Sequence, residues 1–255
     1  MIVREHTDSF IMIEQDHHGR LAETIMSHWK DSLFPDPDNN GSVLTSIREH
    51  DRGWVPYDKQ PFWNDAKQKP YRFTDYPLLP KLALYTQGID EVEKIDTYAA
   101  MLCSEHYSRF IQSSGEEIAQ EFLNQEEQRR TRLAGELMDF DETSFRKHYG
   151  LLQLGDNFSL YACVNEPGAT KEEEHPFFVN GIPSPESLKG LPHHRLDIRF
   201  IGNQTITVED FPFDAPFEVR YPYRRVWKSK IEEKGLLKAY ESTEAEDTRL
   251  LFTNE

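Results

Sequence analysis

Between residues 16 and 164, apolar residues recur at helical spacing, and this periodicity commits most of the chain to a body of packed helices. His18, Leu21, Ala22, Ile25, Met26 and Trp29 fall at i, i+3, i+4, i+7, i+8 and i+11, a stripe about three turns long. A second helix, capped by Ser42, carries Val43, Ile47, His50 and Trp54 on one face and is closed by Gly53 and Pro56. Further helices are predicted over 78–87, stopped by Gly88, and over 96–111, 116–138 and 144–164. Residues 2–4 and 10–14 flank a polar Thr7-Asp8-Ser9 and read as a hairpin. Pro35 to Gly41 is a loop by composition, and 57–77, with three prolines, is a long loop suited to covering a site.

Beyond residue 165 the texture changes. Short strands are predicted at 196–201, 204–208 and 217–221, and 228–255 reads as a helix with a loose tail. The expected architecture is mainly α: a helical metal-binding domain over 1–165, with a β-rich extension over 166–255 packed on it. With 37% hydrophobic residues, 16 Phe and 11 Tyr, the chain can build a core. A net charge of −16 argues against a broad grip on nucleic acid or an anionic membrane. No apolar run reaches the roughly 18 residues of a membrane span, and the start lacks a signal peptide's apolar stretch, so a cytoplasmic protein is expected. The two cysteines, Cys103 and Cys163, read as buried free thiols.

Polar residues interrupt the stripes. His18, His50, Asp51, His106 and Asp156 lie on or beside faces directed at the core. A single buried histidine is commonly satisfied by a backbone carbonyl. A buried aspartate demands more, because an ionised carboxylate in a core must be paired, hydrogen-bonded or bound to metal. Several such groups on one bundle are best explained together, as ligands projected inward from facing helices. Adjacent helical residues diverge by about 100°. His50 and Asp51 therefore converge only near a helix end, which Gly53 supplies. His17 neighbours His18, but His18 shares the Leu21/Ile25 stripe. His28 falls off that stripe and is expected to face water.

The order His18 … His50-Asp51 … Asp156 resembles the H…HD…D signature of the HD-domain superfamily of metal-dependent phosphohydrolases. His18 stands in the helix-opening Gln15-Asp16-His17-His18. His50-Asp51 closes a helix in Ile47-Arg48-Glu49-His50-Asp51-Arg52-Gly53-Trp54. Asp156 sits in Leu151-Leu152-Gln153-Leu154-Gly155-Asp156-Asn157-Phe158. Residues 15–29, 47–61, 98–106 and 151–163 are also similar to a bacterial family described only as a domain of unknown function with an HD-like pattern. The superfamily resemblance implies an HD-like helical bundle and a divalent metal at His18, His50, Asp51 and Asp156. It suggests His106 as a ligand for a second ion.

Imidazoles mixed with carboxylates suit Fe, Mn or Zn better than Ca. On a hydrolase reading, Asp51 holds metal and orients the attacking water, and Asp58 or His17 protonates the leaving oxygen. Arg52, Lys59, Arg72 and Arg109 are the groups expected to meet the phosphate of a nucleotide or other small phosphate ester. The alternatives are a non-catalytic metal or ligand sensor and, on two irons, O₂ chemistry. A homo-oligomer is compatible with either. The sequence contains no GxGxxG, Walker-type or GxSxG pattern. His193-His194 reads as a surface pair, and the basic residues Arg220, Arg224, Arg225 and Lys228 as partners for the acidic body.

Overall fold

The computed structural model describes residues 1–34, 37–192 and 194–254. Pro35, Asp36 and His193 lie outside the described residues. The chain opens with the hairpin β1 (Ile2–Glu5) and β2 (Ser9–Ile13), followed by α1 (Gln15–Met26) and α2 (Asn40–Glu49). A 3-10 turn over Arg52–Trp54 leads into the single-turn α3 (Val55–Asp58), and a small ribbon of β3 (Trp63–Asn64) and β4 (Lys69–Pro70) interrupts the long loop. The helical body is completed by α4 (Leu78–Glu93), α5 (Thr97–Ile111), α6 (Glu117–Glu136) and α7 (Glu142–Val164). Then come β5 (Ile182–Pro183), β6 (Arg195–Leu196), β7 (Ile198–Ile201), β8 (Thr205–Val208) and β9 (Phe217–Trp227). The chain ends in α8 (Lys228–Lys234), α9 (Leu236–Glu241) and β10 (Glu246–Thr253).

Several boundaries differ from expectation for identifiable reasons. Ser42 lies inside α2 rather than at its cap, and its hydroxyl donates to the Asp96 carboxylate (2.7 Å). Pro56 opens α3 instead of ending a helix, since a first-turn position needs no N–H donor. Gly88 does not stop α4. It lies within the helix against the backbone of Gly53, where a Cβ would collide. The residues predicted as a loose tail form β10, which runs between β9 (antiparallel) and β8 (parallel). His28, expected to face water, is half-buried and stacks on Phe217, with ring centres 4.1 Å apart.

The main sheet has the order β1-β2-β9-β10-β8-β7. Its first two strands come from the N-terminus and the other four from beyond residue 165, so the sheet ties both ends of the chain together. Ile11 and Ile13 join the large core with the helices, while Phe10 and Met12 join a smaller cluster with Leu236, Ala239 and Tyr240. Being covered on both faces, β2 reads as a continuous apolar run instead of an alternating one. The Tyr221 hydroxyl donates to the Ala162 carbonyl (2.8 Å), pinning β9 to α7. Lys228 pairs with Glu5 (2.9 Å) and Arg224 with Glu14 (3.1 Å), as the charge pattern suggested. Both cysteines are free and buried. Among the described residues, no helix is long and apolar enough to cross a membrane.

Candidate metal centre

Three helical elements converge on one buried point. His18 projects from α1 toward the end of α2 and the middle of α7. Close to it, α1 approaches α2 at Gly19, where any Cβ would strike the Arg48 carbonyl oxygen. His50 caps the last turn of α2 with its backbone still helical (φ −57°, ψ −27°), and the chain departs at Asp51 (φ −108°, ψ 21°), which leads into the 3-10 turn. That break lets the adjacent His50 and Asp51 turn toward the same place, as the neighbouring glycine predicted. Asp156 comes from the middle of α7.

The donor atoms are close. His18 Nε2 lies 3.1 Å from His50 Nε2 and 3.0 Å from Asp156 Oδ1. His50 Nε2 is 3.5 Å from both Asp51 Oδ2 and Asp156 Oδ1, and His18 Nε2 is 3.9 Å from Asp51 Oδ2. Ligands about 2.1 Å from one ion stand roughly 3.0 Å apart at right angles and about 3.4 Å apart in a tetrahedron. The spacing here falls in and just above that range.

The outer nitrogens show which lone pairs face inward. His50 Nδ1 is 2.6 Å from the Ile47 carbonyl, which only an N–H can satisfy. His18 Nδ1 is 2.9 Å from the Ser159 hydroxyl, which also reaches the Gly155 and Asp156 carbonyls (3.0 Å each). Ser159 thus anchors the outer edge of the His18 ring. The Ile47 bond fixes the His50 tautomer and leaves a bare Nε2 lone pair 3.1 Å from His18 Nε2, beside two carboxylates. Two imidazole nitrogens facing two carboxylates at this spacing suit a shared cation, either a metal ion or a proton. In the absence of metal it is a proton. Burial works to lower the His50 pKa, but the charges of Asp51 and Asp156 and the bonds to Asp156 and Ile47 raise it to about 9. Asp156 is also buried, which pushes its pKa up, yet the His18 and His50 bonds hold it well below the usual carboxylate range. Burial raises Asp51, against the pull of the two imidazoles.

His106, from α5, completes the cluster. It is 3% exposed, among the described residues neither ring nitrogen has a hydrogen-bond partner, and Nε2 lies 3.7 Å from Asp156 Oδ2. Burial holds its pKa down at about 3, so the ring is neutral and its lone pair is available. His18, His50 and Asp51 form one group able to hold a metal ion, and His50, His106 and Asp156 form another.

The centre opens into a cavity of about 460 Å³ lined by Gln15, Trp54, Lys81, Tyr85, Arg109 and Tyr149, among others. Of the groups expected at a phosphate, only Arg109 lines it. Arg52 is committed to Glu91 (2.8 Å) and Glu49 (3.2 Å), and Arg72 pairs with Asp75 (3.4 Å). Lys59 is exposed, and His17 is half-buried; neither lines the cavity. Asp58 is also elsewhere: its carboxylate is buried against the Met1 amine (2.7 Å) and the Gln15 backbone N–H. That pairing turns it away from the proton-donor role expected of it, as does the position of His17. Sequence reasoning missed Gln15, whose amide donates to Asp51 Oδ2 (2.7 Å), Ser159 and Lys81. The first two stand three residues from His18 and Asp156, a spacing that puts each on its ligand's face.

Compared with known proteins, the chain matches over residues 1–228 a family model described as "Protein of unknown function (DUF3891)". No curated protein and no solved structure matches.

Proposed function

The chain belongs to the family described as "Protein of unknown function (DUF3891)", and from the geometry of the centre we propose that it is a divalent-metal-dependent phosphohydrolase of a nucleotide or another small phosphate ester. The observation that carries this reading is the pair of imidazole Nε2 atoms, 3.1 Å apart, flanked by Asp51 and Asp156 at the floor of a cavity. The donor set suits Fe, Mn or Zn. The chain order of the ligands and their arrival from separate helices support kinship with the HD-domain superfamily.

His18, His50, Asp51 and Asp156 hold the ion. When bound, it supplies Lewis acidity toward a phosphoryl oxygen and a water acidified toward neutral pH. The Gln15 amide fixes one oxygen of Asp51, so the orientation of that carboxylate is set before substrate arrives. The Ile47 carbonyl fixes the His50 tautomer, and the Ser159 hydroxyl holds His18 Nδ1. Arg109 contributes positive charge within the same cavity. His106 faces the second oxygen of Asp156, and so offers a ligand for a second ion that Asp156 would share.

Elemental analysis of purified protein, followed by a phosphatase panel with Mn²⁺, Fe²⁺ and Zn²⁺, tests the proposal. Bound transition metal is expected, with turnover that needs it and that Asp51→Ala abolishes while the circular-dichroism spectrum is kept. A protein that takes up no metal, or one that turns over none of the panel, overturns the hydrolase reading.

A further inference from the structure

Lys81 lines the cavity of the metal centre, near the start of α4. It is half-buried, and among the described residues its ammonium makes no ion pair or hydrogen bond. Asp75 acts on it only through space, being already bonded to Lys67 (3.1 Å) and Arg72 (3.4 Å). In a chain of net charge −16 carboxylates are plentiful, so an ammonium partly removed from water without one calls for an anion from outside. Arg109 lines the same cavity. Glu105 takes its Nε (2.8 Å), and the guanidinium lies 5.9 Å from the centre of the Tyr149 ring.

The rest of the lining is largely aromatic. Phe110 and Phe177 both face the cavity, yet they are 53% and 50% exposed, so each presents an uncovered ring at the opening. Of the amides there, Asn157 already donates to the Gln153 carbonyl (2.7 Å). A compact aromatic or aliphatic group seated against Phe110 and Phe177 would cover both rings.

We infer that the cavity takes a phosphate monoester with a compact, uncharged aromatic or aliphatic body. Lys81 and Arg109 receive the phosphate oxygens, and Phe110 and Phe177 cover the body. The inference rests on the hydrolase reading for its chemistry, but binding of the anion to Lys81 does not depend on that reading.

Calorimetry with two non-hydrolysable probes, phenylphosphonate and methylphosphonate, on Mn²⁺-treated and chelator-stripped protein tests it. Phenylphosphonate is expected to bind at least about tenfold more tightly than methylphosphonate. Lys81→Met should weaken both by about tenfold or more with Mn content unchanged, and Lys81→Arg should restore most of the loss. Phe177→Ser should weaken phenylphosphonate alone, by about fivefold. Equal affinity for the two probes, no effect of Lys81→Met, or binding of neither probe overturns the inference. If the stripped and Mn²⁺-treated proteins bind alike and Lys81→Met still weakens both, the metal reading fails and the Lys81 site stands.

Discussion

His50 carries the clearest consequences at the scale of single residues. Its Nδ1 is bound to the Ile47 carbonyl, and its Nε2 looks toward a second imidazole and two carboxylates. In metal-free protein a proton holds this set together, and the His50 pKa stands at about 9 against an ordinary 6.5. The sign follows directly. A raised pKa contributes stability that is fully present below pH 6.5 and is lost as the pH climbs through 9. Metal must expel that proton, so apparent metal affinity should rise between pH 6.5 and 9 and level off above. Titrating Mn²⁺ into weakly buffered protein at pH 7.5 should release about one proton per ion; an affinity that is flat across the window would rule the exchange out. His50→Ala should lose metal and also destabilise the fold by about 3–5 kcal/mol, because Asp51 and Asp156 lose a compensating partner. Asp156→Asn should lose metal at a smaller structural cost, since the amide carries no charge. Thermal melting with and without chelator separates these variants. Should wild type melt identically after confirmed metal removal, metal and folding are not linked.

At the scale of elements, the centre depends on how closely helices and turns approach. Gly53 lies against the Leu84 carbonyl, and Gly88 lies against Gly53, so α4 presses directly on the turn that presents Asp51. A methyl group at Gly53 has no flexible side chain to displace, only backbone. Gly53→Ala should therefore cost about 1–3 kcal/mol by overpacking and weaken metal retention by moving Asp51. Gly41, in the first turn of α2, has open space around it. Gly41→Ala should be neutral or stabilise by up to about 1 kcal/mol. Paired melting curves and metal content check both; a Gly53→Ala protein that melts and binds like wild type would show that the contact is slack. This crossing was misread from sequence. A glycine in a helical pattern is locally a stop signal, and only the neighbouring helix reveals that it is a contact.

Across the whole molecule, the six-stranded sheet joins the ends of the chain to the helix that carries Asp156. Phe252 of β10 is fully buried and stacks on Phe217 (5.3 Å, 3° between planes) while meeting Phe158 of α7 edge-on. Phe252→Ala should cost about 3–5 kcal/mol through the cavity it leaves. The denaturant midpoint should fall with little change in slope, showing lost stability without lost cooperativity. A variant that lost less than about 1 kcal/mol would mean that β10 is an ornament on the body.

The helices and the polar residues that break their apolar stripes were legible in the sequence because both are local signals. The stripe of His18, Leu21 and Ile25, the helix end after His50 and the position of Asp156 on α7 each follow from spacing within a few turns. The same is true of the hairpin, whose strands lie close to the expected positions. Tertiary structure alone decided the pairings between distant segments. Nothing near Arg52 in the chain announces that Glu91 will occupy it, or near Asp58 that the Met1 amine will. Lys81 and Arg109, far apart in sequence, reach the cavity only because α4 and α5 pack side by side. The parallel pairing of β10 with β8 likewise has no local signature, since its register is set by the neighbours on either side. Which charged groups remain free to meet a ligand is therefore settled by long-range docking, after internal partners have claimed the rest.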